Sequence, residues 1–353
     1  MRVFRLLYVG AIGLAGCGVA EQGEVAADVT GAADTDVEEP GAETPGALPG
    51  APDACPATHL VDESDISAIR SLTSDATHLY YVYWPCDLEV CPPDPHEVRA
   101  VPKAGGAPTT LALEPGFIPF DIAVGGGFVY WVRGTDRAVM RVPTDGCEEP
   151  EVVHQAPGFR AFIAANSDAV YWRTLDENEQ WTQLERLPHA GGDVESVATL
   201  PPDASFSLLD EERLYFLTGS SSATGILNAT DLDTGETRRL TTNPDSFGGG
   251  EFTQDAVALW WGSNGLRRLA KSGGEPESIT DAPAYDVGSN GELALYYNFE
   301  PEDLRAVPVT GGEPTVLATS SCNLFGTWLE RVVDDDVFYW SSGHDIFALP
   351  LAP

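Results

Sequence analysis

An all-β fold, a seven-bladed β-propeller of four-stranded blades, is predicted by three features of this 353-residue sequence. A phrase of apolar strand, short turn, aromatic strand and Arg-Pro strand recurs along the chain. Turn glycines close successive copies at 106, 146, 192, 235, 274 and 312. Glycine (36) and proline (27) are both abundant, as a chain of many tight turns requires.

The spacing sets the architecture. The glycines lie 38 to 46 residues apart, and a four-stranded blade takes about 40–45. The first copy runs Thr73 to Trp84 and Val98 to Gly106. The clearest runs Asp121 to Trp131 and Val139 to Gly146. Ala164 to Trp172 with Leu184 to Gly192, Leu208 to Phe216 with Leu227 to Gly235, and Thr253 to Trp261 with Leu266 to Gly274 follow. Val287 to Tyr297 with Leu304 to Gly312, then Arg331 to Trp340 with Ile346 to Pro350, complete seven. The aromatic segments are short β-formers whose large faces pack between blades, so their tryptophans read as core. Gly-Gly and Asp-Gly turns, such as Asp231 to Glu236, supply positive φ. Runs such as Pro108 to Leu111 and Pro314 to Leu317 read as outermost strands, where an edge tolerates proline. The last copy stops after its third strand. Residues 57–63 are therefore predicted to supply the fourth, closing the ring and removing an open edge.

The N-terminus reads as an address. Arg2 and Arg5 precede an apolar run from Leu6 to Gly16, too short to span a bilayer and suited to a signal peptide. Leu14-Ala15-Gly16-Cys17 resembles the bacterial lipobox. That resemblance implies a signal peptide over 1–16, cleavage before Cys17, and acylation of Cys17 with chains such as palmitate. Gly18 in place of Asp implies the outer membrane of a Gram-negative envelope. Two or three acyl chains would hold firmly, since each buried CH₂ adds about 0.8 kcal/mol. Residues 17–54 then form an acidic disordered linker; beyond Cys17 it holds nine acids, no base and no aromatic. Its 37 residues beyond Cys17 would span roughly 30–35 Å as a coil. The propeller occupies 55–353.

Val129-Tyr-Trp131 followed by Met140-Arg-Val-Pro-Thr-Asp-Gly146 resembles the YWTD-type repeat of receptor ectodomains. The pattern Tyr-Trp, Arg-Val-Pro, Gly-Gly-x-Pro looks closer still to propeller lipoproteins of myxobacteria. Two departures stand out: no Asp follows Tyr130-Trp131, and seven copies occur where the receptor type has six. The likeness implies the fold and leaves activity open.

Charge and side-chain chemistry narrow the function. The formal charge of −36 repels phosphate backbones, so nucleic acid is not an expected partner. Without Cys17, five cysteines remain for an oxidising compartment. Cys86 with Cys91, and Cys55 with Cys322, are the expected disulfides, which leaves Cys147 free. Neither the cysteine spacing nor the six histidines match a metal motif, and no nucleophile turn, P-loop or EF-hand is present. Asp334-Asp-Asp336 reads as a turn cap. No metal ligand, catalytic residue or cofactor is assigned, although Ca²⁺ is compatible with so acidic a chain. Trp181, Trp328, Phe117, Phe159, Phe247 and Phe325 fall in strand-connecting loops at one end of the ring. They form either a ligand-binding aromatic cluster or plugs over the core. The sequence thus predicts an exported, lipid-anchored, monomeric binding or scaffold module for a protein, peptide or glycan. The alternatives are a propeller hydrolase or lyase using a channel-bound divalent metal, and a purely structural envelope protein.

Overall fold

The computed structural model describes residues 55–62, 68–84, 96–114, 121–133, 136, 138–155, 162–174, 180, 182–219, 225–241, 252–262, 264–322, 324 and 330–351. They form seven four-stranded antiparallel sheets, the blades of a β-propeller. The inner strands are Ala68–Ser74, Ile122–Gly125, Ile163–Ala165, Ser205–Leu209, Phe252–Gln254, Tyr285–Ser289 and Arg331–Val333, for blades one to seven in order. Each packs against the next, and the seventh returns to the first. The predicted closure is borne out. Thr58–Asp62 pairs antiparallel with Asp345–Pro350 as the outermost strand of blade seven. The predicted segments 1–16 and 17–54, with Cys17, lie outside the described residues.

The Tyr-Trp pairing of the repeat has a geometric cause. Alternate side chains of a strand point to opposite faces, so neighbouring aromatics enter opposite blade interfaces. Tyr130 packs with Ile163, Val170 and Trp172 of blade three. Trp131, the next residue, packs with Tyr80, Val82 and Val98 of blade one. Tyr215 and Phe216 divide in the same way between blades five and three. Seven apolar clusters fill the seven interfaces. Trp131, Trp172, Trp260, Trp261 and Trp340 are fully buried there.

The recurring arginine and lysine bind blade to blade. Arg141 Nη1 donates to the His189 carbonyl of blade three at 3.2 Å. Arg186 reaches the Leu232 carbonyl of blade four at 3.5 Å, and Arg268 the Val309 carbonyl of blade six at 3.1 Å. The same guanidinium groups meet an acid on their own outer strand, as Arg141 meets Glu151 at 2.7 Å and Arg186 meets Glu195 at 2.8 Å. The two lysines occupy one repeat position, just past the third strand. Each reaches back to the preceding blade: Lys103 Nζ to Asp334 at 2.6 Å, Lys271 Nζ to Asp210 at 3.0 Å. His189 takes that position in blade three and bonds Tyr130 Oη of blade two at 2.8 Å.

The turns between inner and second strands carry Asp or Asn in six blades, and Gly126-Gly127 in blade two. Asp75 Oδ1 accepts from the Thr77 and His78 amides, and its Oδ2 accepts from Tyr80 Oη at 2.7 Å. Asp210 with Tyr215, and Asp255 with Trp260, repeat the motif at 2.9 and 2.7 Å. Asp334 closes the corresponding turn of blade seven, its amide donating to the Val337 carbonyl at 2.9 Å. Its carboxylate is the one that meets Lys103.

Candidate functional site

Strand direction sorts the connections onto two faces. Turns from inner to second strand, and from third to outer, lie on one. Links from second to third strand, and from each outer strand to the next inner one, leave from the other, where side chains from several blades meet at the channel mouth.

Asp121 is the centre of this mouth. It immediately precedes the inner strand of blade two. Its Oδ1 accepts from the Ile122 amide at 2.9 Å and from Ser71 Oγ of blade one at 3.2 Å. Its Oδ2 accepts from the Ile163 amide of blade three at 3.2 Å. One carboxylate therefore joins three inner strands. Ser71 also accepts from the Ile122 amide, at 3.1 Å. Burial pushes the Asp121 carboxyl up to about 7, and the Glu330 charge adds to the rise, against the hydrogen bonds that favour ionisation. At neutral pH this acid is held near its midpoint, where it can both give and take a proton.

Backbone strain marks the same mouth. Ser71 and Asp286 are the non-glycine residues at positive φ among those described, at 50° and 47°. Both sit where an inner strand shifts register against its neighbour. A left-handed non-glycine residue costs of order 1–3 kcal/mol and persists only when its surroundings fix it. Asp286 is held by Arg331 of blade seven: Arg331 Nη1 meets Asp286 Oδ1 and its Nε donates to the Val287 carbonyl, each at 3.1 Å. The mouth thus carries Asp121, Glu330 and Asp286, with Arg331 as cation. This group can hold a polar or basic ligand and exchange a proton with it.

The sequence-predicted residues meet the structure unevenly. Cys55 and Cys322 form the expected disulfide, with Cα atoms 4.9 Å apart. Cys147, expected to be free, is disulfide-bonded, with a cysteine outside the described residues. Cys86 and Cys91 lie outside the described residues, as do Trp181, Trp328, Phe117, Phe159, Phe247 and Phe325. The strand ends that flank those aromatics all lie on the face that carries Asp121. The sequence reading missed Asp121, Ser71, Asp286 and Arg331. Their own segments carried no signal of the convergence: Asp121 opens the clearest repeat copy as an ordinary strand-leading residue.

No family model matches the chain. No curated protein matches it in sequence. Solved structures do match in fold. The chain is similar to an oligogalacturonate lyase from Vibrio parahaemolyticus, at 14% identity and a TM-score of 0.59, over 83% of this chain and 93% of that one. It is equally similar to YCF48 bound to D1 peptide, at 12% identity and 0.59, over 86% and 97%. An acylaminoacyl peptidase from Pyrococcus horikoshii follows at 11% and 0.55; the match spans 82% of this chain and 53% of that enzyme. At these identities the likeness establishes the propeller fold.

Proposed function

We propose that the protein is an exported, monomeric lipoprotein, held to the outer membrane through Cys17, that presents the Asp121 face of its propeller as a binding surface. Its ligand is a protein, peptide or glycan carrying basic or hydroxyl groups. The observation that supports this reading best is the convergence at the channel mouth. Three blades direct hydrogen-bond donors at Asp121, and two strained residues border the same opening. A ring lock needs neither a carboxyl held near neutrality nor a second acid beside it. The six loop aromatics flanked by strand ends of this face would supply apolar contact. A neighbour in fold holds a peptide, which makes peptides a reasonable first class of probe.

The test is capture from envelope extracts and on glycan arrays, with Asp121→Asn and Arg331→Ala as controls. Specific capture that falls at least tenfold in Asp121→Asn supports the reading. Capture unchanged in both variants overturns it. The anchor is tested separately: Cys17→Ser releases the protein from membranes, and retention of that variant sinks the lipoprotein assignment.

A second reading, a lyase or hydrolase with a channel-bound divalent ion, is favoured by one observation. Asp121 near its midpoint beside Glu330 is suited to general acid–base work. Metal-dependent cleavage of polyuronate or peptide substrates, lost in Asp121→Asn, would select it.

A further inference from the structure

Ring closure builds a cluster that no stretch of the sequence contains. Thr58–Asp62 lies beside Asp345–Pro350 in a register that puts Asp62 opposite Asp345. His59 and Asp345 are 286 residues apart in the chain, yet His59 Nε2 is 2.9 Å from Asp345 Oδ1. His344 Nε2 stands 3.7 Å from Asp345 Oδ2. One ligand atom each from His59, Asp62 and Asp345 lies within 4.8 Å of the others. The geometry points to a divalent transition-metal site of the zinc class, held by His59, Asp62 and Asp345 with His344 as fourth donor, that clasps the closing strand to the ring.

The donor set selects the ion. Two imidazole nitrogens and two carboxylates suit Zn²⁺ and its neighbours, whereas Ca²⁺ takes 6–8 oxygen ligands. Tetrahedral zinc with bonds of about 2.0–2.1 Å sets its donors roughly 3.3 Å apart. The separations here, 2.9 Å for one pair and within 4.8 Å for the three residues, bracket that value. His344 lies outside that three-residue group, 3.7 Å from Asp345, and would turn toward the ion to complete the set.

The surroundings hold the donors in place. The His59 ring stacks on Phe347 at 4.8 Å and 11°. Phe347 stacks on Trp340 at 5.2 Å, and Trp340 on Phe338 at 5.5 Å. This four-ring ladder across blade seven fixes the plane of the imidazole, the service that outer contacts perform for metal ligands. The Asp345 side chain is 9% exposed, while His59 and His344 remain 40% and 44% exposed. A buried carboxylate thus sits beneath two accessible imidazoles, open to an arriving ion. A plain His59–Asp345 latch would need neither Asp62 nor His344 at the same carboxylate. Binding here links metal to closure, because the site exists only when the first strand has paired with the last.

The test uses the untagged full-length protein, stripped with chelator and titrated with Zn²⁺, Ca²⁺ or Co²⁺. One equivalent of Zn²⁺ is expected to bind saturably and raise Tm, with Co²⁺ giving the intense visible absorption of low-coordinate geometry. Asp62→Ala spares the His59–Asp345 contact, so its stripped form should melt as the parent does while zinc affinity falls at least tenfold. Asp62→Ala with His344→Ala should abolish the zinc-induced rise. Should a variant melt lower when stripped, the difference between its zinc-loaded and stripped forms is the quantity compared. The proposal is overturned by absence of saturable zinc binding, by unchanged affinity in the double variant, or by an equal response to Ca²⁺.

Discussion

Replacing Cys55 and Cys322 together with alanine removes the covalent tie between the start of the closing strand and the end of blade six. The closed loop spans a sequence separation of 267. In the chain-entropy model, cross-linking a loop of that length removes about 5–6 kcal/mol of freedom from the unfolded chain. Disulfides commonly deliver less, so about 3–5 kcal/mol is the expected loss. With an unfolding entropy near 2.1 cal/mol/K per residue over about 300 residues, this lowers Tm by roughly 5–8 °C. Cys322 is buried among Leu304, Leu324 and Leu351, so the vacated sulfur adds a small packing loss of the same sign. Differential scanning calorimetry of the oxidised protein reads the shift. Reductant alone is no substitute, because Cys147 is also disulfide-bonded. Hydrogen exchange at residues 58–62 should rise before exchange elsewhere, since this strand closes the ring by pairing at one edge. A double variant melting within 1 °C of the parent, with unchanged protection at 58–62, would refute the idea that this bond secures closure.

Other sites give equally definite expectations. Gly262→Ala places a Cβ 2.2 Å from the Ala284 carbonyl oxygen and 2.7 Å from its carbon; backbone cannot yield as a side chain can, so a loss of about 2–4 kcal/mol is expected in chemical denaturation. Asp121, raised from 3.8 to about 7, binds more protons folded than unfolded between those values. Stability from this group therefore falls as pH rises from 4 to 7 and is flat above, by at most about 4 kcal/mol; Asp121→Asn should flatten that slope in pH-dependent urea titrations. Asp210 behaves oppositely. Burial pushes it up, but Lys271, the Glu212 amide and Tyr215 outweigh burial and hold it below its ordinary value. Its contribution is lost as pH falls through the depressed pKa, and Lys271→Met should raise that pKa by NMR and cost roughly 1–3 kcal/mol.

The repeat made the ring, its blade count and its closing strand legible because each feature is local or additive. Tyr130-Trp131 announces a strand by its residue types, and glycines at fixed spacing announce turns. The missing fourth strand of the last copy pointed to residues 57–63, within two residues of the observed Thr58–Asp62. The Cys55–Cys322 bond followed from the same closure. The mouth was not legible, because Ser71, Asp121 and Ile163 come from three blades and nothing in their own segments signals convergence. The same holds for His59 and Asp345. Cys147 was expected to be free because two pairs were assigned among five cysteines, whereas it is disulfide-bonded. The Arg-Pro signature was visible as a repeat, but its bond to the next blade's carbonyl needs both blades in place.

The pairing of Thr58–Asp62 with Asp345–Pro350 also sets a timetable. A chain made from its N-terminus at about 5–20 residues per second must wait roughly 15–60 s before the partner of its first strand exists. During that interval the segment is an orphan edge, the kind of surface that recruits wrong partners. Its composition is suited to waiting. Thr-His-Leu-Val-Asp is only five residues long, and in the finished ring Val61 alone among them is fully buried. A brief, mostly polar first strand can idle harmlessly through synthesis and lock only when the last strand arrives.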